Sequence, residues 1–432
     1  MSLQLGDEWP ELQQALSEEQ PVSIRLNDKT PLPEFDDAER VPWCDAGRYL
    51  NARPRFTLDP LLHAGCYYVQ EAGSMFLQQV CEQLIPTDSI VLDLCAAPGG
   101  KSTLLAQHLS NGLLVANEVM RQRAQILAEN VAKWGSGNVL VTSNRPAEVG
   151  QLRHLFDALL VDAPCSGEGM FRKDAGAVSE WSVANAQMCA ERQRAIMNDV
   201  WDALRPGGLL IYSTCTFNPE ENEQNVHWIC EHLGADLLTL QVSDAWNLYT
   251  TGTGYHFYPH RQRSEGFYIA CMRKHEGERQ TMRLKSSRGT SQRDSLHEMR
   301  QWLNQPDEWL LTSDAQYVHA VRRVHTDMAE AIGQRLYCLL RGIRVAEMRG
   351  RNWIPAHQLA LSKHIRQSAF RQVNADLPTA LSYLHGEAVH FTDAPTGQLL
   401  VCYQNVPVGW IKNIGNRSNN LYPDQWRIRM NV

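Results

Sequence analysis

Between Ser89 and Arg273 short apolar runs alternate with longer amphipathic stretches, and that alternation predicts a parallel sheet wrapped by helices. The runs Ile90–Leu94, Leu113–Asn117, Asn138–Thr142, Ala158–Val161 and Leu209–Ser213 read as buried strands, with an edge pair near His256–Tyr258 and Phe267–Met272. Ser102–Leu109, Arg121–Trp134, Asn185–Leu204 and Pro219–Leu233 have the length and spacing of helices. Arg205-Pro206-Gly207-Gly208 is expected to end one helix sharply. Asn218-Pro219-Glu220-Glu221 is expected to start the next, with a capping residue, proline at the first helical position and acids in the first turn.

At 432 residues the chain exceeds one ordinary domain, so two or three domains are expected. Residues 275–299, rich in Ser, Arg, Gln and Gly, read as a linker between a sheet domain over 86–274 and a compact α+β module over 300–432. That module ends in strand-like pieces at Gln398–Cys402, Val408–Ile411 and Trp426–Met430. Residues 1–85 form a further unit or extension.

The net charge of −7 is a local property, because residues 1–40 hold ten acids against three bases and the remainder balances. Residues 335–372 carry Arg335, Arg341, Arg344, Arg349, Arg351, Lys363, Arg366 and Arg371 against the single acid Glu347. Such a stretch suits either a phosphate-holding face or a solvated helix face. Eleven cysteines without a CxxC pair point to reduced thiols and a cytoplasmic chain. No run reaches the ~18 apolar residues of a membrane span, and Met1–Pro10 lacks the pattern of a secretory signal, so no membrane partner is expected.

The first strand leads into Cys95-Ala96-Ala97-Pro98-Gly99-Gly100-Lys101 and then a helix. A strand, tight turn and helix in that order let the backbone approach a ligand and aim a helix N-terminus at it. A P-loop would need glycine where Cys95 stands, and GxGxxG is absent. Glu118, about twenty residues past the glycines, suits a ribose hydroxyl, which favours an adenosine-containing cofactor. Asn144, after the third strand, could meet an adenine edge or simply be a polar loop residue.

Two cysteines follow buried strands in rigid contexts, Cys165 in Asp162-Ala163-Pro164-Cys165-Ser166-Gly167 and Cys215 in Ser213-Thr214-Cys215-Thr216. Both belong to the end of the sheet where such folds bind ligands. A pyrimidine is a poor nucleophile at C5, and thiolate addition at C6 turns C5 into an enamine-like carbon. That chemistry needs a cysteine, a proton donor near N3, a methyl donor and a base for the C5 proton, and Asp162, Cys165 and Cys215 suit several of these tasks. Arg172 and Lys173, just beyond, are candidates for substrate phosphate or a solvated charge pair. No metal site is expected.

Taken together, Asp93 to Lys101, Asp162 to Gly167 and Ser213 to Thr216 resemble the Sun/nucleolar-protein family of RNA (cytosine-5) methyltransferases. Within it, Gly167-Glu168-Gly169-Met170-Phe171-Arg172-Lys173 and Val408-Gly409-Trp410-Ile411-Lys412 are most similar to the bacterial small-subunit (16S) ribosomal RNA methyltransferase F type. The resemblance implies a Rossmann-like methyltransferase domain with an N-terminal RNA-recognition extension and a C-terminal PUA-like RNA-binding module. It implies that Cys95 to Lys101, Glu118, Asn144 and Asp162 contact S-adenosylmethionine, that Cys215 is the nucleophile and that Cys165 assists release. The family usually has Asp where this chain has Asn144. Segments Ser23–Asn27 and Tyr68–Met75 also resemble family segments, the latter shaping the base pocket. The substrate implied is RNA, 16S rRNA first, acted on by a monomer. Transfer RNA, large-subunit rRNA, a DNA cytosine-5 enzyme using Pro164-Cys165, or a non-catalytic ribosome-assembly factor remain alternatives.

Overall fold

The computed structural model describes residues 5–173, 175–278, 294–391 and 393–430, so the linker expected at 275–299 falls mostly outside the described residues. Five strands form the parallel centre of a large mixed sheet, in the spatial order Leu204–Thr214, Phe156–Asp162, Ile90–Asp93, Leu113–Asn117, Val139–Thr142. Chain order reverses between Ile90–Asp93 and Phe156–Asp162, and a ligand crevice opens at such a switch point. Phe267–Lys274 adds antiparallel beside Leu204–Thr214, followed by Tyr255–Phe257. The expected strands are therefore present, with ends shifted by a few residues.

Two helix boundaries differ from expectation. The Val183–Val200 helix and a short turn end before Leu204, and Arg205 to Gly208 already belong to the next strand. The following helix starts at Glu223 rather than at Pro219. Asn222 explains the delay: its side chain accepts from Thr214 Oγ1 (2.6 Å) and donates to the Thr216 carbonyl (2.9 Å). Asn218 meanwhile accepts from the Glu220 N–H at 2.8 Å, so residues 218–222 form a turn that folds back on the strand end carrying Cys215.

Beyond residue 300 the chain builds two four-stranded sheets. One comprises Trp309–Ser313, Tyr317–Arg322, Ile343–Arg349 and Asn352–Pro355, and the other Gln372–Ala375, Gly397–Tyr403, Val406–Asn413 and Ser418–Asn420. The expected strand at Trp426–Met430 is absent. Trp426 instead ends a short helical turn, and its ring packs edge-on against His357 with Lys133 over its face. One further strand, Cys338–Arg341, leaves this half of the chain and pairs antiparallel with Val139–Thr142, closing the edge of the large mixed sheet.

The two ends of the chain share a core. Val22, Ile24 and Tyr67 pack in one cluster with Tyr383, Leu399, Val401 and Ile411. Lys29 Nζ donates to the carbonyls of Ala64 (2.7 Å), Leu361 (2.6 Å) and Lys133, tying three distant segments. Arg25 is buried, with its guanidinium on Gln70, Gln107, Gly100 and Thr103 and over the Trp134 ring.

Most of the basic stretch 335–372 is committed within the chain. Arg335, Arg341 and Arg344 donate to carbonyls, Arg349 pairs with Glu347, Lys363 with Asp28, and Arg366 bonds Gln301. Arg341, Arg344 and Arg349 line a cleft of about 1040 Å³, but Glu129, Asp314, Glu347 and Asp424 line it too. A uniformly basic face is not what forms there. Among the described residues no helix is long and apolar enough to cross a membrane.

Candidate active site

A cavity of about 330 Å³ opens at the switch point, lined by the turn residues Cys95, Ala96, Ala97, Pro98, Gly100 and Lys101 together with Asp93, Asp162 and Cys215. Tyr68, Val69, Gln70, Glu71 and Ser74 form another wall. Gly99 caps the helix Gly100–His108 at φ 119°, a backbone conformation that favours glycine, and a Cβ there would stand 3.2 Å from Leu127. At Gly100 a Cβ would face Tyr68 and Gln70 at 3.5 Å and narrow the cavity.

Asp93 was not singled out as a site residue from the sequence. Its Oδ2 accepts from Ser102 Oγ at 2.6 Å, while its buried Oδ1 has no partner among the described residues. Burial pushes its carboxyl up to about 7, against the Ser102 hydrogen bond that lowers it. A buried acceptor without a donor, beside a glycine turn, fits a cofactor that brings an ammonium group. Its position as the last residue of the strand before the turn was the available signal.

Lys101 and Asp162 form an ion pair across the cavity, Nζ to Oδ2 at 2.9 Å, with Ser213 Oγ donating to Asp162 Oδ1 at 2.7 Å. Burial disfavours the Lys101 ammonium, yet Asp162 outweighs it and the pKa ends above the usual lysine value. Glu118 accepts from the Met120 N–H at 2.9 Å and faces Arg123 at 3.4 Å, next to the turn.

The two thiols meet. Cys165 Sγ lies 3.1 Å from Cys215 Sγ and accepts from the Cys215 N–H at 3.3 Å. Cys215 lines the cavity and Cys165 stands behind it. The hydrogen bond from Cys165 holds the Cys215 thiol below its ordinary pKa against the cost of burial, while the same contact and burial hold Cys165 well above. The thiolate therefore belongs on Cys215 and the shared proton on Cys165.

Two buried carboxylates fix this geometry, Glu221, which the sequence put in a helix's first turn, and Glu168, read only as part of a motif. Glu221 accepts from the Ser166 N–H (3.0 Å) and Gln193 Nε2 (2.8 Å), holding the Cys165 loop. Glu168 accepts from the Phe217 N–H (2.9 Å) and Thr216 Oγ1 (3.0 Å), holding the Cys215 loop. The Gly169 N–H donates to the Cys215 carbonyl at 2.8 Å, and a Cβ on Gly169 would lie 2.4 Å from the Gly266 carbonyl, so only glycine permits this close approach.

Two expectations change. Arg172 is no free phosphate contact: its guanidinium is buried, bonded to Glu265, the Ser264 carbonyl and the Ala15 carbonyl. Lys173 stays exposed on the cavity wall. The Asn144 carboxamide is paired on both sides with the Tyr337 backbone, donating to its carbonyl (3.1 Å) and accepting from its N–H (2.9 Å), which leaves one N–H for a ligand. No group of His, Cys, Asp and Glu among the described residues could hold a metal ion.

Residues 83–273 match the family described as 16S rRNA methyltransferase RsmB/F. Residues 1–72 match the N-terminal domain of 16S rRNA methyltransferase RsmF, and residues 370–428 match the methyltransferase RsmF PUA domain. The chain is 31% identical over 420 residues to the ribosomal RNA small subunit methyltransferase F of Erwinia tasmaniensis, covering 89% of this chain and 84% of that protein. It is 32% identical over 425 residues to the protein of the same name from Pectobacterium carotovorum, covering 89% and 83%. Among solved structures it is similar to a methyltransferase homolog protein from Pyrococcus horikoshii, at 28% identity and a TM-score of 0.53, covering 62% of this chain and 91% of that one.

Proposed function

This chain belongs to the 16S rRNA methyltransferase RsmB/F family, a family of S-adenosylmethionine-dependent rRNA methyltransferases, and we propose that it methylates C5 of cytosine in small-subunit (16S) rRNA through a bond between Cys215 Sγ and C6. The single observation that carries the reading is the thiol pair 3.1 Å apart, with Cys215 on the wall of the cavity that Asp93 and the glycine turn share. In this reading the enzyme acts as a monomer in the cytoplasm.

When bound, S-adenosylmethionine would supply the methyl group to C5 as an electrophile, its sulfonium carbon–sulfur bond breaking as the C5–methyl bond forms and S-adenosylhomocysteine remaining. Asp93 and the Cys95–Lys101 turn would hold it, and Glu118 and Asn144 would serve its adenosine end. The Cys215 thiolate adds to cytosine C6, and the Lys101–Asp162 pair lends a proton to N3, so that C5 gains enamine character. Once Cys215 Sγ is bonded to carbon, the thiolate that held the Cys165 proton in place is gone, and Cys165 gives that proton to solvent. Cys165 then takes the C5 proton, Cys215 leaves as thiolate, and N3 returns its proton to the Lys101–Asp162 pair. The regenerated Cys215 thiolate is again hydrogen-bonded by the Cys165 thiol. Lys173, exposed on the cavity wall, contacts the RNA backbone, while the N-terminal unit (1–85) and the module 300–432 recognise the RNA around the target.

Mapping 5-methylcytosine in ribosomal RNA from cells with and without the gene tests the reading. A methylcytosine in 16S rRNA that disappears with the gene supports it; unchanged methylation of all ribosomal RNA overturns it.

A further inference from the structure

We propose that Tyr337, contributed by the C-terminal half of the chain, is a cofactor-contacting residue whose ring stacks on the adenine of S-adenosylmethionine. The inference rests on the cofactor reading given above and adds a residue to it that lies outside the methyltransferase domain.

Tyr337 immediately precedes the strand Cys338–Arg341, whose first residue pairs with Thr142. This register brings Tyr337 beside Ser143, at the carboxyl edge of the parallel strands where such sheets bind ligands. Three hydrogen bonds fix it there: the Ser143 N–H donates to the Tyr337 carbonyl at 3.0 Å, and the Asn144 carboxamide takes both the carbonyl and the N–H. All three use the Tyr337 backbone, which leaves the side chain out of the clasp.

Tyr337 is 53% exposed, and Arg121, the first residue of the helix after Glu118, stands over its ring at 5.3 Å. Val119 and Met120, between Glu118 and that helix, are 53% and 55% exposed. Val119 and Met120 directly follow Glu118 and Tyr337 is clasped by Asn144, so an exposed aromatic residue and two exposed apolar residues adjoin the two residues assigned to the adenosine end, while Tyr337 itself lines the cleft of about 1040 Å³ with Gln125 and Ala128. A flat, weakly polar ring system such as adenine suits that surface, because stacking on an aromatic face is favourable whatever the base edges do. Asn144, one hydrogen-bond donor short of a free amide, then serves mainly to hold Tyr337 in place.

The arrangement has a consequence for the whole chain. Adenine bound against Tyr337 draws the edge strand Cys338–Arg341 into the site, so cofactor occupancy and docking of the C-terminal half stabilise each other.

Calorimetric titration of the full-length chain with S-adenosylhomocysteine tests this. Tyr337→Ala is expected to weaken binding about tenfold and Tyr337→Phe by less than about twofold, since the ring and not the hydroxyl does the stacking. Backbone hydrogen exchange at residues 338–341 is expected to slow on adding S-adenosylhomocysteine to wild type and much less so in Tyr337→Ala. Truncating the half-exposed side chain removes the Arg121 contact but none of the three backbone hydrogen bonds, and an unchanged melting temperature of the ligand-free variant shows that the fold is intact. Wild-type binding with an unaltered affinity in Tyr337→Ala overturns the inference alone. Failure of the wild-type chain to bind S-adenosylhomocysteine at all overturns the cofactor reading and the inference with it.

Discussion

Cys165 and Cys215 sit with their sulfur atoms 3.1 Å apart, and the cavity touches only one of them, Cys215. The asymmetry is built by the loops: Glu221 draws the Cys165 loop back, and Glu168 holds the Cys215 loop at the wall.

The thiols should therefore differ in reactivity. Cys165 lowers the pKa of Cys215 by donating a hydrogen bond to it, so removing Cys165 raises that pKa and shrinks the thiolate fraction at neutral pH. Iodoacetamide is expected to label Cys215 before Cys165 in wild type, and Cys165→Ala to slow Cys215 labelling at pH 7 by about tenfold. Peptide mass spectrometry over a pH series reads both.

Cofactor affinity should depend on pH through Asp93. Burial raises its folded-state pKa to about 7, so below that pH the carboxyl is protonated and cannot receive the cofactor's ammonium. Binding then requires loss of a proton, and the Kd for S-adenosylhomocysteine is expected to rise about tenfold for each pH unit below 7 and to be level above it. Asp93→Asn should bind weakly with little pH dependence between 6 and 8. Calorimetry in two buffers of different ionisation enthalpy also counts the proton released.

Arg172 and Lys173 are neighbours with opposite tasks. Arg172→Met leaves Glu265, 4% exposed, as an unpaired buried carboxylate, and is expected to destabilise folding by about 3–5 kcal/mol in denaturant titrations. Lys173→Ala should leave stability unchanged and weaken RNA binding, with a shallower dependence of affinity on salt.

Lys29 links the N-terminal unit, the helix Arg121–Trp134 and the C-terminal half through three carbonyl oxygens. Lys29→Met strands those acceptors in a buried site and is expected to cost about 1–3 kcal/mol of stability. Differential scanning calorimetry should show the loss as a lower, broader transition.

The catalytic half was legible because its strands are buried on both faces and its turns carry rare residue combinations. Ile90–Asp93, Leu113–Asn117 and the helix Arg121–Trp134 follow directly from hydrophobic periodicity. Side-chain partners were not legible. Arg172 reads as a surface cation until Glu265, 93 residues later, folds against it. Asn222 delays a helix for the sake of Thr214 and Thr216, contacts invisible to local capping rules. The four-residue strand Cys338–Arg341 has no pattern that marks it as belonging to the catalytic sheet. Nor does sequence separation show that Val22 and Ile24 share a core with Val401 and Ile411. Removing residues 300–432 would open that core, so truncation does not isolate RNA recognition, and point substitutions are the cleaner probe.

The central claim, that Cys215 forms the bond to cytosine and Cys165 undoes it, is tested most directly by denaturing electrophoresis of the enzyme after incubation with 16S rRNA and S-adenosylmethionine. Cys165→Ala should accumulate a stable protein–RNA adduct, and Cys215→Ala, alone or combined with Cys165→Ala, should form none. An adduct that persists in Cys215→Ala and vanishes in Cys165→Ala would contradict the account.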